Sequence, residues 1–171
     1  ARDVNVTIGQ GTAAATILND DSYAELRIYA GGSTQPSMVV AHQEVNAGQV
    51  AYQFDIRRSG DINRTTTANW QVAPSGANPA AGNDFAGGVL PSGSVVFAAG
   101  ETIKTVTVQV AGDTRVESNE TFDVVISTPH NDATVMKTAA TGVILDNDKA
   151  SELYIYSGES AQFSHVVDKG E

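Results

Sequence analysis

Two strand ends in this sequence gather Asp and Asn. TILNDD, Thr16 to Asp21, and VILDND, Val143 to Asp148, each close a run of apolar and β-branched residues on three such side chains. Residues of this kind have two uses. Their short side chains satisfy exposed turn backbone, or their oxygens join other carboxylates to hold a hard cation, which takes roughly six to eight oxygen ligands. The chain is rich in candidates, with 20 Asp and Glu against 10 Lys and Arg and a net charge of -10. That balance serves solubility equally well, so composition leaves both uses open. It also repels phosphate backbones and anionic bilayer surfaces, which argues against nucleic acid and against membrane partners.

Other chemistries find little support. There are no cysteines, hence no disulfide framework, thiolate metal site or cysteine nucleophile; the compartment stays open on that count. His42, His130 and His165 are isolated and lack the spacing of a zinc site. D-N-D-K at 146 to 149 opens like an EF-hand, but Ser151 stands at the sixth place and Ser157 at the twelfth, so that motif is rejected. No G-x-S-x-G, H-E-x-x-H or phosphate loop occurs. Glu117 and Glu120 resemble an acid and base pair, yet nothing else points to a sugar cleft. No catalysis is expected. Sequons occur at Asn5, Asn63 and Asn119, and the last lies inside a candidate metal loop. The start, ARDVNVTIGQ, lacks the pattern of a signal peptide, and no apolar run has the length of a membrane span. A soluble chain is expected, cut from a longer protein.

The acidic residues need elements to position them, and the pattern is that of short strands. AYQFDIRR places Tyr52, Phe54 and Ile56 on one face, with SGD at 59 to 61 as the following turn. TTTANWQV puts Trp70 and Val72 on one side. Residues 74 to 88 are rich in Gly, Pro and Asn and form a surface loop. SVVF, 94 to 97, and TIKTVTVQV, 102 to 110, flank AAGE as a hairpin with Val106, Val108 and Val110 inward. TFDVVIS buries Phe122, Val124 and Ile126, and a last strand from about Thr138 ends at Leu145. Arg57, Arg58 and Arg64 form a solvated hairpin end, with a basic docking patch as the lesser alternative. The pattern predicts an all-β fold, an immunoglobulin-like antiparallel β-sandwich of about seven strands.

The two acidic strand ends belong to an internal repeat. Ile17 and Leu18 fall on Ile144 and Leu145 at an offset of 127 residues, and AELRIYAGGSTQPSMVV aligns without a gap on SELYIYSGESAQFSHVV. Of the 34 pairs between 11 to 44 and 138 to 171, 15 are identical. This period exceeds that of solenoid repeats, which runs roughly 20 to 50 residues, and suits tandem domains. The expected layout is the last strand of one repeat over 1–21, a complete repeat over 22–148 and the start of the next over 149–171. An orphan final strand would pack on the complete domain, fray, or pair with a neighbouring molecule.

GNDFAGGVLPSGSVVFAAGETIKTVTVQVAGDTRVESNETFDVVIS, followed by TGVILDND, resembles the Calx-beta repeat. The matching features are Asp84 and Phe85, Val96 and Phe97, Gly100 and Glu101, Lys104, Asp113, Glu117, Glu120 to Phe122, and Asp146 to Asp148. IRRSGD at 56 to 61 is similar to that family's first hairpin. The resemblance covers most of 44 to 148 and implies a seven-stranded immunoglobulin-like sandwich that in many members binds calcium at one tip.

Sandwich loops cluster at two ends, so loops far apart in sequence meet there. Asp84, Asp113, Glu117, Asp146 and Asp148 are the candidate carboxylate ligands of Ca2+. Glu44 supplies another from the start of the first strand, and Asn147 an amide or backbone oxygen; Glu120 ranks below these. Carboxylates converging without lysine partners repel one another unless a cation sits among them. Two departures from the family pattern reduce the expected charge: Gly112 stands where some members carry Asp, and Asn147 replaces a carboxylate. The role implied is a calcium-binding, non-catalytic structural repeat of a large extracellular or cell-surface protein such as an adhesin or matrix protein. Its partners would be neighbouring repeats, with homotypic assembly. The alternatives are an adhesive ligand-binding module and a filament subunit assembled by strand exchange.

Overall fold

In a computed structural model, the structure describes residues 23–31, 36–130 and 133–150, together with the backbone of 152–155 and 164–167. Among the described residues the regular structure is strand throughout, apart from a single 3-10 turn at Gly82–Asp84. Nine strands build the sandwich: β1 (Ala24–Ala30), β2 (Val39–Gln43), β3 (Gln49–Gly60), β4 (Thr66–Pro74), β5 (Ser92–Phe97), β6 (Ile103–Ala111), β7 (Glu120–Ser127), β8 (Ala133–Lys137) and β9 (Ala139–Leu145). They form a four-stranded sheet in the order β6-β3-β1-β8 and a five-stranded sheet in the order β2-β9-β7-β4-β5. β10 (Glu152–Ile155) and β11 (Ser164–Val167) pair with each other as a separate antiparallel ribbon. The expected last strand of a preceding repeat, 1–21, lies outside the described residues.

Strict alternation builds each inner face. Leu26 and Ile28 of β1, Tyr52, Phe54 and Ile56 of β3, and Val106, Val108 and Val110 of β6 point inward from one sheet. Ala68 and Val72 of β4, Phe122, Val124 and Ile126 of β7, and Ala140 and Ile144 of β9 meet them from the other, with Trp70 packed at the margin. Phe122 is the central side chain, edge-on to Tyr52, Phe54 and Phe85 at centroid distances of 5.4, 6.1 and 5.1 Å. Gly142 of β9 makes room for it, since a Cβ there would stand 2.2 Å from the Phe122 ring. The buried Tyr52 hydroxyl lies 2.9 Å from the carbonyl oxygens of both His42 and Val143, donating to one at a time. Burial is the main cause that pushes its pKa up to about 12.

Several strand-level expectations need correction. There are nine sandwich strands rather than about seven, because β1 and β2 split the N-terminal edge between the two sheets and β8 adds a strand. Two contacts are parallel, β1 with β8 and β2 with β9, within an otherwise antiparallel sandwich. β8 escaped the sequence reading because only Val135 and Ala133 of its residues pack on the core. The stretch around AAGE is not a hairpin: β5 pairs with β4 and β6 with β3, so the chain crosses between sheets there. IRRSGD likewise leads from one sheet to the other, and alternation alone carries no information about which sheet a strand joins.

Arg58 is not solvated. It is 3% exposed, points inward at the end of β3, and lies with its guanidinium 5.2 Å from the Phe97 ring centroid. It donates to the carbonyl oxygens of Glu101, Arg64, Ile62 and Ala98 and to the Thr66 hydroxyl. One side chain thus ties the β3–β4 and β5–β6 crossings together at one end of the sandwich, leaving the other end to the acidic loops.

Candidate metal centre

Strand direction decides where the carboxylates go. β2 and β9 run parallel and finish together at Gln43 and Leu145, so Glu44 and Asp146 to Asp148 emerge side by side. Glu120 opens β7 opposite Ile144. β6 ends at Ala111 beside Gln49, which delivers Asp113 to the same tip. The 3-10 turn brings in Asp84, whose Oδ2 accepts from the Ala81 amide at 2.6 Å and whose Oδ1 accepts from Asn83 Nδ2 at 2.9 Å.

Two triads result. Glu44, Asp146 and Asp148 present carboxylate oxygens within 4.8 Å of one another, and Asp84, Glu117 and Glu120 do the same. Asp113 belongs to neither triad, but its charge raises the pKa of Glu44, Glu117 and Asp148. Its Oδ1 accepts from the Arg115 amide at 2.7 Å. The loops are held by their own acceptors: Asp146 Oδ2 takes the Glu117 amide at 3.1 Å, and Asn119 Oδ1 takes the Asp146 amide at 3.1 Å. Asn147 donates through Nδ2 to Asn46 Oδ1 at 2.9 Å. Glu44 is not at the start of a first strand; it directly follows β2.

Asn46 and Glu120 also stand at the tip. Asn46 Nδ2 donates to Asp148 Oδ1 at 2.8 Å across 102 positions, a contact without any local sequence signal. Glu120 was within reach of inference, since it shares the parity of the inward residues Phe122 and Val124. Gly112 explains the altered pattern. A Cβ at this position would stand 1.8 Å from the Val45 carbonyl oxygen, and the Gly112 amide donates to Gly48 at 3.1 Å. The 44–48 loop therefore lies directly against Gly112, and it brings Glu44 and Asn46 to the tip.

The electrostatics show crowding. Burial first, then a hydrogen bond with Asp146 and the charges of Asp113, Asp146 and Asp148, raise the Glu44 carboxyl to about 7. Burial first, then the charge of Asp84 and a hydrogen bond with it, raise Glu120 to about 7. Burial also raises Glu117 against the nearby Arg115, whose guanidinium is 3.3 Å from it. Desolvation and the Asp146 charge raise Asp148. Asn147 Oδ1 and Asp148 Oδ2 are buried without a protein partner. An all-oxygen donor set, with orphaned acceptors and no His or Cys, fits a hard divalent cation.

The folded-state values of Glu44 and Glu120 lie above the ordinary 4.5, so the stability they contribute is full below about 4.5 and lost as pH rises through about 7. In chelator, stability should fall from pH 5 to pH 8 by an amount on the order of 1–3 kcal/mol, and the melting temperature should fall with it. Thermal melts across that range check it, and a rise with pH would contradict it.

The fold and sequence have relatives. The apo-form Calx CBD1 domain superposes with a TM-score of 0.55 at 23% identity, covering 72% of this chain and 98% of that one. The calcium binding domain CBD12 of CALX1.1 gives a TM-score of 0.56 at 21% identity, covering 77% of this chain and 49% of that one. CBD12 from CALX1.2 gives 0.55 at 24% identity, covering 71% and 45%. At these identities the likeness is one of fold. The family model described as the Calx-beta domain matches residues 34–148. With that stretch spanning most of its length, the chain belongs to the Calx-beta domain family.

Proposed function

We propose that this chain is a calcium-binding structural repeat whose acidic tip takes Ca2+ between the loops at 44–48, 82–84, 112–120 and 146–148. The observation that carries the reading is the pair of oxygen-only triads, Glu44 with Asp146 and Asp148, and Asp84 with Glu117 and Glu120, beside unpartnered buried oxygens of Asn147 and Asp148. It is supported by membership of a family whose structural neighbours include chains described as calcium binding domains. Asp113 and Asn46 complete the tip, Asp113 by its charge and Asn46 by orienting Asp148. Bound Ca2+ supplies positive charge that offsets the mutual repulsion of these carboxylates.

Asp146 to Asp148 lead directly out of β9 toward the segment that repeats the start of the domain. A cation held there stiffens the junction between successive repeats, so the chain acts as one non-catalytic unit in an extended extracellular or cell-surface protein. The 127-residue internal repeat supports the tandem layout of 1–21, 22–148 and 149–171. Homotypic assembly through an exchanged strand is a second route by which such repeats associate.

Calorimetric titration with Ca2+ tests the binding. Weak to moderate affinity is expected, with dissociation constants of about 10⁻⁵ to 10⁻³ M. Asp148→Asn and Glu120→Gln should each weaken binding by about tenfold or more, which is about 1.4 kcal/mol. Wild-type affinity in both variants would remove these triads from the site.

A further inference from the structure

The outer face of the four-stranded sheet carries a row of basic side chains. Arg27 of β1 lies directly opposite Arg57 of β3, and on its other side it is in register with Lys137 of β8. Three cations therefore stand in one row across three neighbouring strands, which are spaced about 4.8 Å apart. Like charges directly opposite in a sheet are destabilising, and this row occurs on a chain of net charge -10. Nearby acids meet the charge only in part. Arg27 pairs with Glu25 at 2.9 Å, while Arg57 reaches Asp55 only at 3.9 Å. Arg57 Nε is buried and has no hydrogen-bond partner.

Two members of the row, Arg27 and Arg57, line an open groove of about 330 Å³ together with Tyr29, Arg58, Ser59, Thr102 and Ile103. The Tyr29 ring holds the cations in place, with Arg57 5.4 Å and Lys137 Nζ 4.7 Å from its centroid. Arg27 donates to the Ser59 hydroxyl at 2.9 Å, which fixes its fork. Guanidinium forks recognise planar or tetrahedral oxyanions in bidentate fashion.

We propose that this row binds the sulfate or carboxylate groups of a short anionic polysaccharide. The groove lies on a sheet face whose backbone groups are already paired, so strand addition by a peptide is not available there and recognition must come from side chains. A line of cations at strand spacing matches charges repeated along a chain rather than a single ion. The net negative charge of the rest of the molecule disfavours long polyanions and nucleic acid.

The test is titration of the full chain, in calcium buffer, with a sulfated hexasaccharide, inorganic sulfate and a short polyglutamate. Binding of the saccharide should weaken as salt rises. It should fall at least tenfold in Arg27→Gln and in Arg57→Gln and persist in Arg64→Gln, since the Arg64 side chain does not line the groove. Arg57→Lys keeps charge and should recover part of the loss, which separates recognition from folding; melting curves check that each variant is folded. No binding by the wild type, equal binding by the Arg27 and Arg57 variants, or polyglutamate or inorganic sulfate binding as tightly as the saccharide would each overturn the proposal.

Discussion

Replacing Arg58 by Met should destabilise the protein by about 3–5 kcal/mol, lowering its melting temperature by roughly 10–15 °C. The substitution keeps the apolar stem and approximate volume but removes every donor. Four carbonyl oxygens, those of Ile62, Arg64, Ala98 and Glu101, lose charge-assisted bonds, as does the Thr66 hydroxyl. The loss is large because one substitution strips the charged donor from four part-buried carbonyl oxygens and from the buried Thr66 hydroxyl at once. The β3–β4 and β5–β6 crossings both depend on that side chain, so the loops at 61–65 and 98–102 should loosen together. Arg58→Lys should fall between the two, since an ammonium supplies charge and no fork. Urea unfolding measures all three, and a loss below about 1 kcal/mol in Arg58→Met would show that the clasp is dispensable.

Gly112→Asp should weaken calcium binding at least tenfold and cost about 2–4 kcal/mol of stability, although it adds a carboxylate to an acidic tip. Counting charges alone gives the opposite sign. The structure reverses it because a Cβ at 112 would meet the Val45 carbonyl oxygen at 1.8 Å and its carbon at 2.7 Å. These are backbone atoms, so no rotamer relieves the clash. The 44–48 loop must move, and with it go Glu44 and the Asn46 bond that orients Asp148. Gly112→Ala separates sterics from charge and should lose both stability and affinity as well. Calcium titration beside urea unfolding reads the outcome; tighter binding at unchanged stability would mean that the loop yields freely.

Much of this architecture was legible in the sequence. Inward parity found Tyr52, Phe54, Val108, Phe122 and Val124, because alternation is a direct record of which face is buried. The acidic strand end at 146 to 148 was legible because Asp and Asn run against the composition of a strand. What stayed hidden was non-local. Nothing near Asn46 announces Asp148, and nothing near Gly112 announces the Val45 carbonyl that crosses it. Arg58 reads as solvated because charged residues are seldom buried; only the convergence of four loop carbonyls makes its position favourable. The row of Lys137, Arg27 and Arg57 arises from strand register, which residue types do not state. Which oxygens of Asp113 and Asn147 face the triads is equally non-local: the loop a residue sits on does not state where its side chain points.

The central claim is that the tip is a cation site built from mutually repelling carboxylates. Thermal unfolding at pH 7.5 in saturating Ca2+ and again in chelator tests it most directly, at roughly neutral pH where Glu44 and Glu120 are being asked to ionise. At a calcium concentration about 100 times the dissociation constant, mass action contributes about 2.7 kcal/mol, so the melting temperature should rise by roughly 5–10 °C. Asp148→Asn should shrink that rise. Identical melting curves in calcium and in chelator would contradict the account.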